Sequence, residues 1–415
     1  MPAKRIAVVL VRFPSVSETF IVNQIISLLD RGYHITILSL HKENNAVIHQ
    51  AIKDYGLLDK VLYFVHPSPF FPKRMLQVLR FFLTAPRINW SGLFNMLSSL
   101  SQIRKNLNLW NFFNYQFILF HSFDLYHVHW ANYAHAVAMA KKLNIHQTPI
   151  LVSFHGLDII PARLSAYRRE YALLQEQVKY FTVNSPYTED LVRQVFSEQA
   201  NVILLPVSLQ TDQFLPSQNI RPSKGVMQIV FIGRLVPFKG PDIAVRIMNE
   251  LVNRQHIRAI QLLIIGDGEM MERVKCLIAD FNLSEYIVLM GAQSQEQIHH
   301  ILSNADIFLL PGITEPLEQR AENQGLVIQE AQSMEIPVVV SDAGGMKYGL
   351  VDGVTGFVVP EGDVSVFAHK IKCLIDSEEL RIKMGKAGRE FVVKQFDAKI
   401  LAEKLEAIYR ACWSD

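Results

Sequence analysis

The strongest constraint on this chain is a pattern that occurs twice: short apolar runs, each followed by an amphipathic segment. Strands of a parallel sheet are covered on both faces, so they read as continuous apolar runs with helical crossovers between them. In the first half, RIAVVLV, YHITILSL, LYHVHW, PILVSF and YFTVNS are strand-like. A second series opens at MQIVFIG and runs through QLLIIG, YIVLMG, ADIFLLPG and IPVVVSD to GFVVP. Between them, Pro206 to Gly225 is rich in Pro, Ser and Gln and reads as a linker. At 415 residues the chain is also long for one core. The expected fold class is α/β: doubly wound parallel-sheet domains over 1–205 and 226–395, a linker over 206–225, and a terminal helix within 396–415.

Local signals refine the first half. Phe20, Ile21, Ile25, Leu28 and Leu29 give Glu18 to Arg31 one apolar helical face, and Gly32 suits its C-terminal cap. An insert over about 70–120 mixes aromatics with Lys73, Arg74, Arg80 and Arg87. Such a segment fits a surface helix lying on anionic lipid, or a helical hairpin covering the sheet, and the two are compatible. A formal net charge of +2 argues against a dedicated nucleic-acid binder. Three cysteines, far apart and without a C-x-x-C pair, give no disulfide framework. The N-terminal apolar run is broken by Arg12 and reads as a strand rather than a signal peptide. No stretch reaches the roughly 18 apolar residues of a spanning helix. The expected location is the cytoplasm, peripheral on the inner face of the membrane.

Two stretches carry chemistry. GRLVPFKG places Arg234 and Lys239 in a loop after a parallel strand, where open α/β sheets bind ligands. Two cations beside Gly233 and Gly240 suit a diphosphate, although an ordinary solvated loop would read the same way. ENQGLVIQEAQSME reads as a loop leading into a helix that starts near Gly325 or Leu326, with Glu322 before it and Glu330 about one turn in. Eight helical positions would span about 12 Å, too far for a retaining or inverting carboxylate pair, although a loop between the two could shorten it. The spacing suggests a pair that grips two parts of one extended ligand, each carboxylate accepting from hydroxyls. GDGEM, from Gly266, lacks the third glycine of a dinucleotide fingerprint. His127 and His129 are close in sequence, as metal ligands are, but are expected to point to opposite faces of their strand and to be structural.

Taken together, GRLVPFKG, IIGDGEM, GAQSQEQ, the Glu322 and Glu330 pair and SDAGG…DGVTGFVVPEGD resemble the C-terminal half of a GT-B glycosyltransferase of the large retaining family 4. RFPSVSETFIVNQI, YHVHW and SFHGLD are similar to members that build bacterial exopolysaccharides of the colanic acid and lipopolysaccharide type. The resemblance implies that Arg234 and Lys239 bind the diphosphate of a UDP- or GDP-hexose and stabilise its departing charge. Glu330 would hold the ribose and Glu322 the hexose hydroxyls, with N–H groups from Gly325 and Leu326. Gly233 and Gly266 would border the nucleotide, and His155 would stand beside the sugar.

The stretch FPSVSETF replaces the glycine-glycine loop that many members carry after their first strand, so Ser17, Glu18 and Thr19, with Asp158, are expected to line the cleft near the acceptor, although Ser15 and Glu18 also have the spacing of a simple helix cap. Tyr348 stands where a Glu is usual, and Ser208 where an Asn-Gly turn is common. No D-x-D triplet occurs, which suits a metal-independent enzyme without cofactors. The expected partners are a nucleotide sugar, a saccharide or lipid-linked saccharide acceptor and an anionic membrane surface, with no nucleic acid. The terminal helix, Lys399 to Trp413, is expected to cross back onto the first domain. The rival readings are a GT-B nucleotide-sugar 2-epimerase and a non-catalytic saccharide-binding module at the membrane.

Overall fold

Val-, Ile- and Leu-rich runs, short and bounded by turns, form two separate parallel sheets in the computed structural model, which describes residues 4–15, 19–43, 50–102, 109–216 and 225–414. The first sheet holds β1 (Arg5–Phe13), β2 (His34–Lys42), β3 (Val61–Tyr63), β4 (Leu125–His129), β5 (Ile150–Phe154), β6 (Tyr180–Val183) and β7 (Asn201–Leu204). Their order is β3-β2-β1-β4-β5-β6-β7. The second holds β8 (Met227–Ile232), β9 (Ile260–Ile265), β10 (Ile287–Gly291), β11 (Ile307–Leu310), β12 (Val338–Ser341) and β13 (Gly356–Val359), in the order β10-β9-β8-β11-β12-β13. Every pairing is parallel. Each sheet reverses its winding once, between β1 and β4 and between β8 and β11. Such a reversal splays the loops apart and opens a crevice beyond the strands' carboxyl ends.

Burial follows from the crossovers. The first helix, Thr19–Asp30, turns Ile21, Val22, Ile25, Ile26 and Leu28 onto the sheet, and Gly32 ends it in a left-handed turn that bonds back to Leu29. The insert supplies helices Phe71–Thr84, Trp90–Gln102, Leu109–Asn114 and Gln116–Phe120. Their inward aromatics pack together: Phe81 and Phe82 each lie 5.4 Å from Phe120 between ring centroids.

Two crossings join the domains side by side. Leu209 N–H donates to the Phe396 carbonyl at 2.8 Å, and Ala398 N–H donates to the Leu209 carbonyl at 2.9 Å. Beyond them the terminal helix, Ala398–Trp413, returns to the first domain. There Leu401, Leu405, Ile408, Tyr409 and Cys412 share a buried cluster with Ile6, Val8 and Leu10. Its polar edge is tied down by Arg31, 3.2 Å from Glu406, and by the Tyr33 hydroxyl, which donates to Glu406 at 3.0 Å. The far end of the second domain is thus anchored on the first.

Candidate active site

The site assembles where the carboxyl ends of the two sheets face each other. A cleft of about 260 Å³ is lined by His155, Gly156, Tyr187, Arg234, Phe238, Lys239, Arg320, Glu322 and Asn323, among others. Gly233 and Arg234 follow β8 directly. β9 ends in Gly266, held at φ +133°, where a Cβ would come within 1.9 Å of the Gly233 carbonyl oxygen. Only glycine permits this approach of the two loops, and it fixes the path of the Arg234 backbone. The chain then turns through Pro237–Lys239, and Lys239 forms an ion pair with Glu322 inside the cleft. Arg234 is exposed to the cleft, its guanidinium 6.0 Å from the Phe238 ring.

Glu322 lies in the loop before helix Leu326–Ser333, which Gly325 precedes in a left-handed conformation. Burial alone would push the Glu322 carboxyl up. The Lys239 ammonium, the Gly325 N–H and the Arg234 guanidinium outweigh it and hold the group below the usual carboxylate range. Glu330, inside the helix, goes the other way: burial pushes it up to about 7. The two carboxyls of one motif are therefore in opposite electrostatic settings, and Lys239 explains the difference.

The next two residues fasten this loop to the rest of the molecule. Asn323 Oδ1 lies 3.1 Å from Thr188 Oγ1 of the first domain, and a Cβ on Gly156 would come within 1.9 Å of Asn323 Nδ2. Gln324 accepts from Val207 N–H at 2.7 Å and donates to the Val207 carbonyl at 2.9 Å. Asn323 therefore meets the opposing domain and Gln324 grips the linker, so the loop that carries Glu322 is tied to both.

The first domain contributes a different environment. His129 ends β4 and His155 follows β5, with His129 Nδ1 2.9 Å from His155 Nε2. His127 Nδ1 is 2.8 Å from the Tyr409 hydroxyl and its Nε2 is 2.7 Å from Ser153 Oγ. The expectation that His127 and His129 point to opposite faces is corrected: side chains two apart on a strand share a face, and the two rings lie 4.3 Å apart. Both are buried. Burial lowers His127 and His155 to about 3, and lowers His129 well below its ordinary value. The three rings are neutral near pH 7, and they connect the terminal helix to the cleft.

Of the sequence-derived residues, Arg234, Lys239, Glu322 and His155 meet in the cleft lining. Gly233, Gly266, Gly325, Leu326 and Glu330 stand outside that lining, as backbone and helix behind the charged groups. Asp158 does not line the cleft. It is 1% exposed, accepts from the N–H groups of Ala131, His155 and Gly156, and is pushed by burial to about 6 against those bonds. It anchors the loop that carries His155. Thr19 opens the first helix beside Phe20, whose ring lies 5.1 Å from His155; Ser17 and Glu18 fall outside the described residues. Tyr187, Arg320 and Asn323 were not singled out in the sequence. Arg320 had a signal, a third cation two residues before Glu322, while Tyr187 and Asn323 had none.

Comparison with known proteins decides the class. Residues 216–391 match the profile described as Glycosyl transferases group 1, and residues 96–211 match Glycosyltransferase Family 4. Both halves of the chain are those of a glycosyltransferase. Along almost its whole length this glycosyltransferase is similar to WcaL of Escherichia coli, a protein named for colanic acid biosynthesis: 25% identity over 410 residues, 97% of this chain and 98% of that one. It is also similar to a GDP-mannose-dependent phosphatidylinositol monomannoside mannosyltransferase of Mycobacterium tuberculosis, 27% identical over 63% of this chain and 69% of that one. Anabaena HepE, solved with UDP, superposes with a TM-score of 0.74 over 98% of this chain and 100% of that one at 15% identity, a likeness of fold. The two facing parallel-sheet domains are the GT-B architecture.

Proposed function

We propose that this glycosyltransferase moves a hexose from a UDP- or GDP-sugar to a saccharide acceptor with retention at the anomeric carbon. The acceptor in this reading is a lipid-linked intermediate of exopolysaccharide or lipopolysaccharide synthesis, met at the inner face of the membrane. One observation carries the proposal: Arg234, Lys239 and Arg320 converge with Glu322 and His155 in one cleft between the two switch points. Lys239 pairs with Glu322 and Arg320 with Glu318, and the exposed Arg234 guanidinium beside them favours an anionic ligand. Similarity to proteins named for colanic acid biosynthesis and for mannosyl transfer supports the substrate class.

In the proposed reaction the acceptor oxygen attacks the anomeric carbon on the face the diphosphate leaves. The bond from that carbon to phosphate oxygen breaks, the bond to the acceptor forms, and the acceptor proton passes to the departing phosphate. Negative charge grows on the phosphate, where Lys239 and Arg234 stabilise it. Fixed cations aimed at developing charge are worth about 10²–10³ in rate when one is removed. These cations take the place of a divalent metal in this reading. Glu322, kept ionised by Lys239, accepts from hexose hydroxyls, and Glu330 accepts from the ribose. His155, neutral and held by His129, offers the sugar an uncharged ring nitrogen.

The test is transfer from UDP- and GDP-hexoses to a lipid-linked saccharide, with the anomeric configuration of the product read by NMR. Retained configuration and its loss in Lys239→Ala agree with the proposal. An inverted product refutes the stereochemistry, and free nucleotide with an epimerised sugar and no acceptor use points to a 2-epimerase.

A further inference from the structure

The insert is apolar on two sides, and the structure accounts for only one of them. In helix Phe71–Thr84, Val78, Phe81 and Phe82 turn inward onto the first-domain core. Met75, Leu76, Leu79 and Leu83 turn outward, with Leu76 65% and Leu83 76% exposed. At about 100° per residue these four outward side chains span about 100° of the helix, and Arg80 and Lys73 fall next along the same edge. Both cations are exposed. The adjoining helix Trp90–Gln102 repeats the arrangement: Trp90, Phe94 and Leu97, at positions i, i+4 and i+7, are exposed, Phe94 by 71%. Phe82, at the inward side of the first helix, stacks on Trp90 at 6.2 Å, so the two helices lie side by side. Exposed apolar side chains elsewhere, such as Leu317 and Ile382, are scattered rather than set in such stripes. Two exposed apolar stripes on neighbouring helices call for an occupant.

Charge identifies the occupant. From Lys60 to Phe123 the sequence has seven Lys or Arg and no Asp or Glu, in a chain that otherwise has more acidic than basic residues. A second copy docked through the same face would set these unbalanced cations against each other. An anionic bilayer complements them and accepts the apolar stripe below its headgroups. The face also starts from the end of the sheet that carries the cleft. The segment after β3 leads into helix Phe71–Thr84, and it runs beside the carboxyl end of β2, with Phe64 N–H donating to the Ser39 carbonyl at 2.8 Å and His66 stacked 5.6 Å from His41. His129 and His155 stand at the same carboxyl end, on the central strands β4 and β5.

The geometry points to a membrane-docking surface: the outward stripes of helices Phe71–Thr84 and Trp90–Gln102 sink into the headgroup and acyl boundary of an anionic phospholipid bilayer, framed by Lys73, Arg80 and Arg87. Docking of this kind buries an amphipathic helix by about 5–10 Å and does not span the bilayer. Among the described residues no helix is long and apolar enough to cross. The inference deepens the proposed function and rests on its lipid-linked acceptor, since it holds the cleft-bearing domain at the surface where such an acceptor is held.

The experiment is flotation of the full chain with vesicles of phosphatidylcholine alone and of phosphatidylcholine with phosphatidylglycerol, without nucleotide or acceptor. The chain is expected to float with the anionic vesicles. Leu79→Asp with Leu83→Asp should weaken binding about tenfold or more, because charges then enter the acyl boundary. Arg80→Glu with Arg87→Glu should weaken it about fivefold for each charge removed. Both variants alter exposed side chains and should keep the wild-type Tm and nucleotide affinity. Unchanged flotation in the leucine variant overturns the inference, even if the arginine variant is weakened, because adsorption would then be electrostatic alone. A dimer that the leucine variant splits, with no vesicle binding, overturns it in favour of a contact between copies. Vesicle binding is read without catalysis, so failed transfer to a soluble acceptor analogue would count against the proposed function and leave this surface standing.

Discussion

The two walls of the cleft solve different problems. The second domain presents Arg234, Lys239 and Glu322, with ion pairing and hydrogen bonds holding the carboxyl of Glu322 ionised. The first domain presents His155 at the end of a buried histidine chain kept neutral by burial. One wall is built to hold charge and the other to exclude it. A nucleotide sugar has the same division, an anionic diphosphate at one end and an uncharged hexose at the other. The contrast also indicates where pH acts: the histidine chain stays neutral down to strongly acidic conditions, whereas Glu330 behind the charged wall titrates near 7.

Removing the charged wall should have the largest effect. Lys239→Ala is expected to lower kcat by about 10²–10³-fold, and to raise the Glu322 carboxyl toward the value burial alone would give it. An activity loss below about tenfold would break the assignment of Lys239 to the departing phosphate.

The neutral wall should fail more gently and in a different parameter. His129→Leu leaves His155 without its partner at 2.9 Å, so kcat is expected to fall by about 10–100-fold with nucleotide affinity unchanged. His129→Asn, which keeps a polar atom near Nδ1, should recover part of that loss. Equal losses in the two variants, or a matching loss of nucleotide affinity, would mean that His129 supports the fold and does not position His155.

Glu330 separates the two walls by pH. Its folded titration lies above the ordinary carboxyl value of 4.5, so the folded state favours the neutral form. The stabilisation this gives is complete below about pH 4.5 and is lost as pH rises through about 7. Glu330→Gln is therefore expected to be more stable than wild type at pH 8, by about 1–3 kcal/mol in denaturant unfolding, and no more stable at pH 4. Nucleotide affinity in the wild type should strengthen as pH rises through 7, because an ionised carboxyl is the better acceptor for ribose hydroxyls. The glutamine variant should bind more weakly and without that pH dependence.

The second sheet was readable in the sequence because its strands are covered on both faces. IIe-, Val- and Leu-rich runs such as those of β9 and β12 have no polar face to obscure them. β3 and β7 went unread for the opposite reason: they are short edge strands, and VLY and NVIL are only partly buried. Arg234, Lys239 and Glu322 were legible as charges beside glycine turns. Contacts between the domains were not, since nothing local marks Asn323 as the neighbour of Gly156 and Thr188. Asp158 differs from its expected place in the cleft for a related reason: its backbone donors from Ala131, His155 and Gly156 are brought together only by the fold. The histidine pair required only the right period, two residues to the same face.

The central claim is that the charged wall binds a nucleoside diphosphate. It is tested most directly by calorimetric titration of the protein with UDP, GDP and ADP, repeated on Arg234→Ala. The account predicts selective binding of UDP or GDP that weakens sharply in the variant. Nucleotide binding undiminished in Arg234→Ala, or none by the wild-type protein, would contradict it.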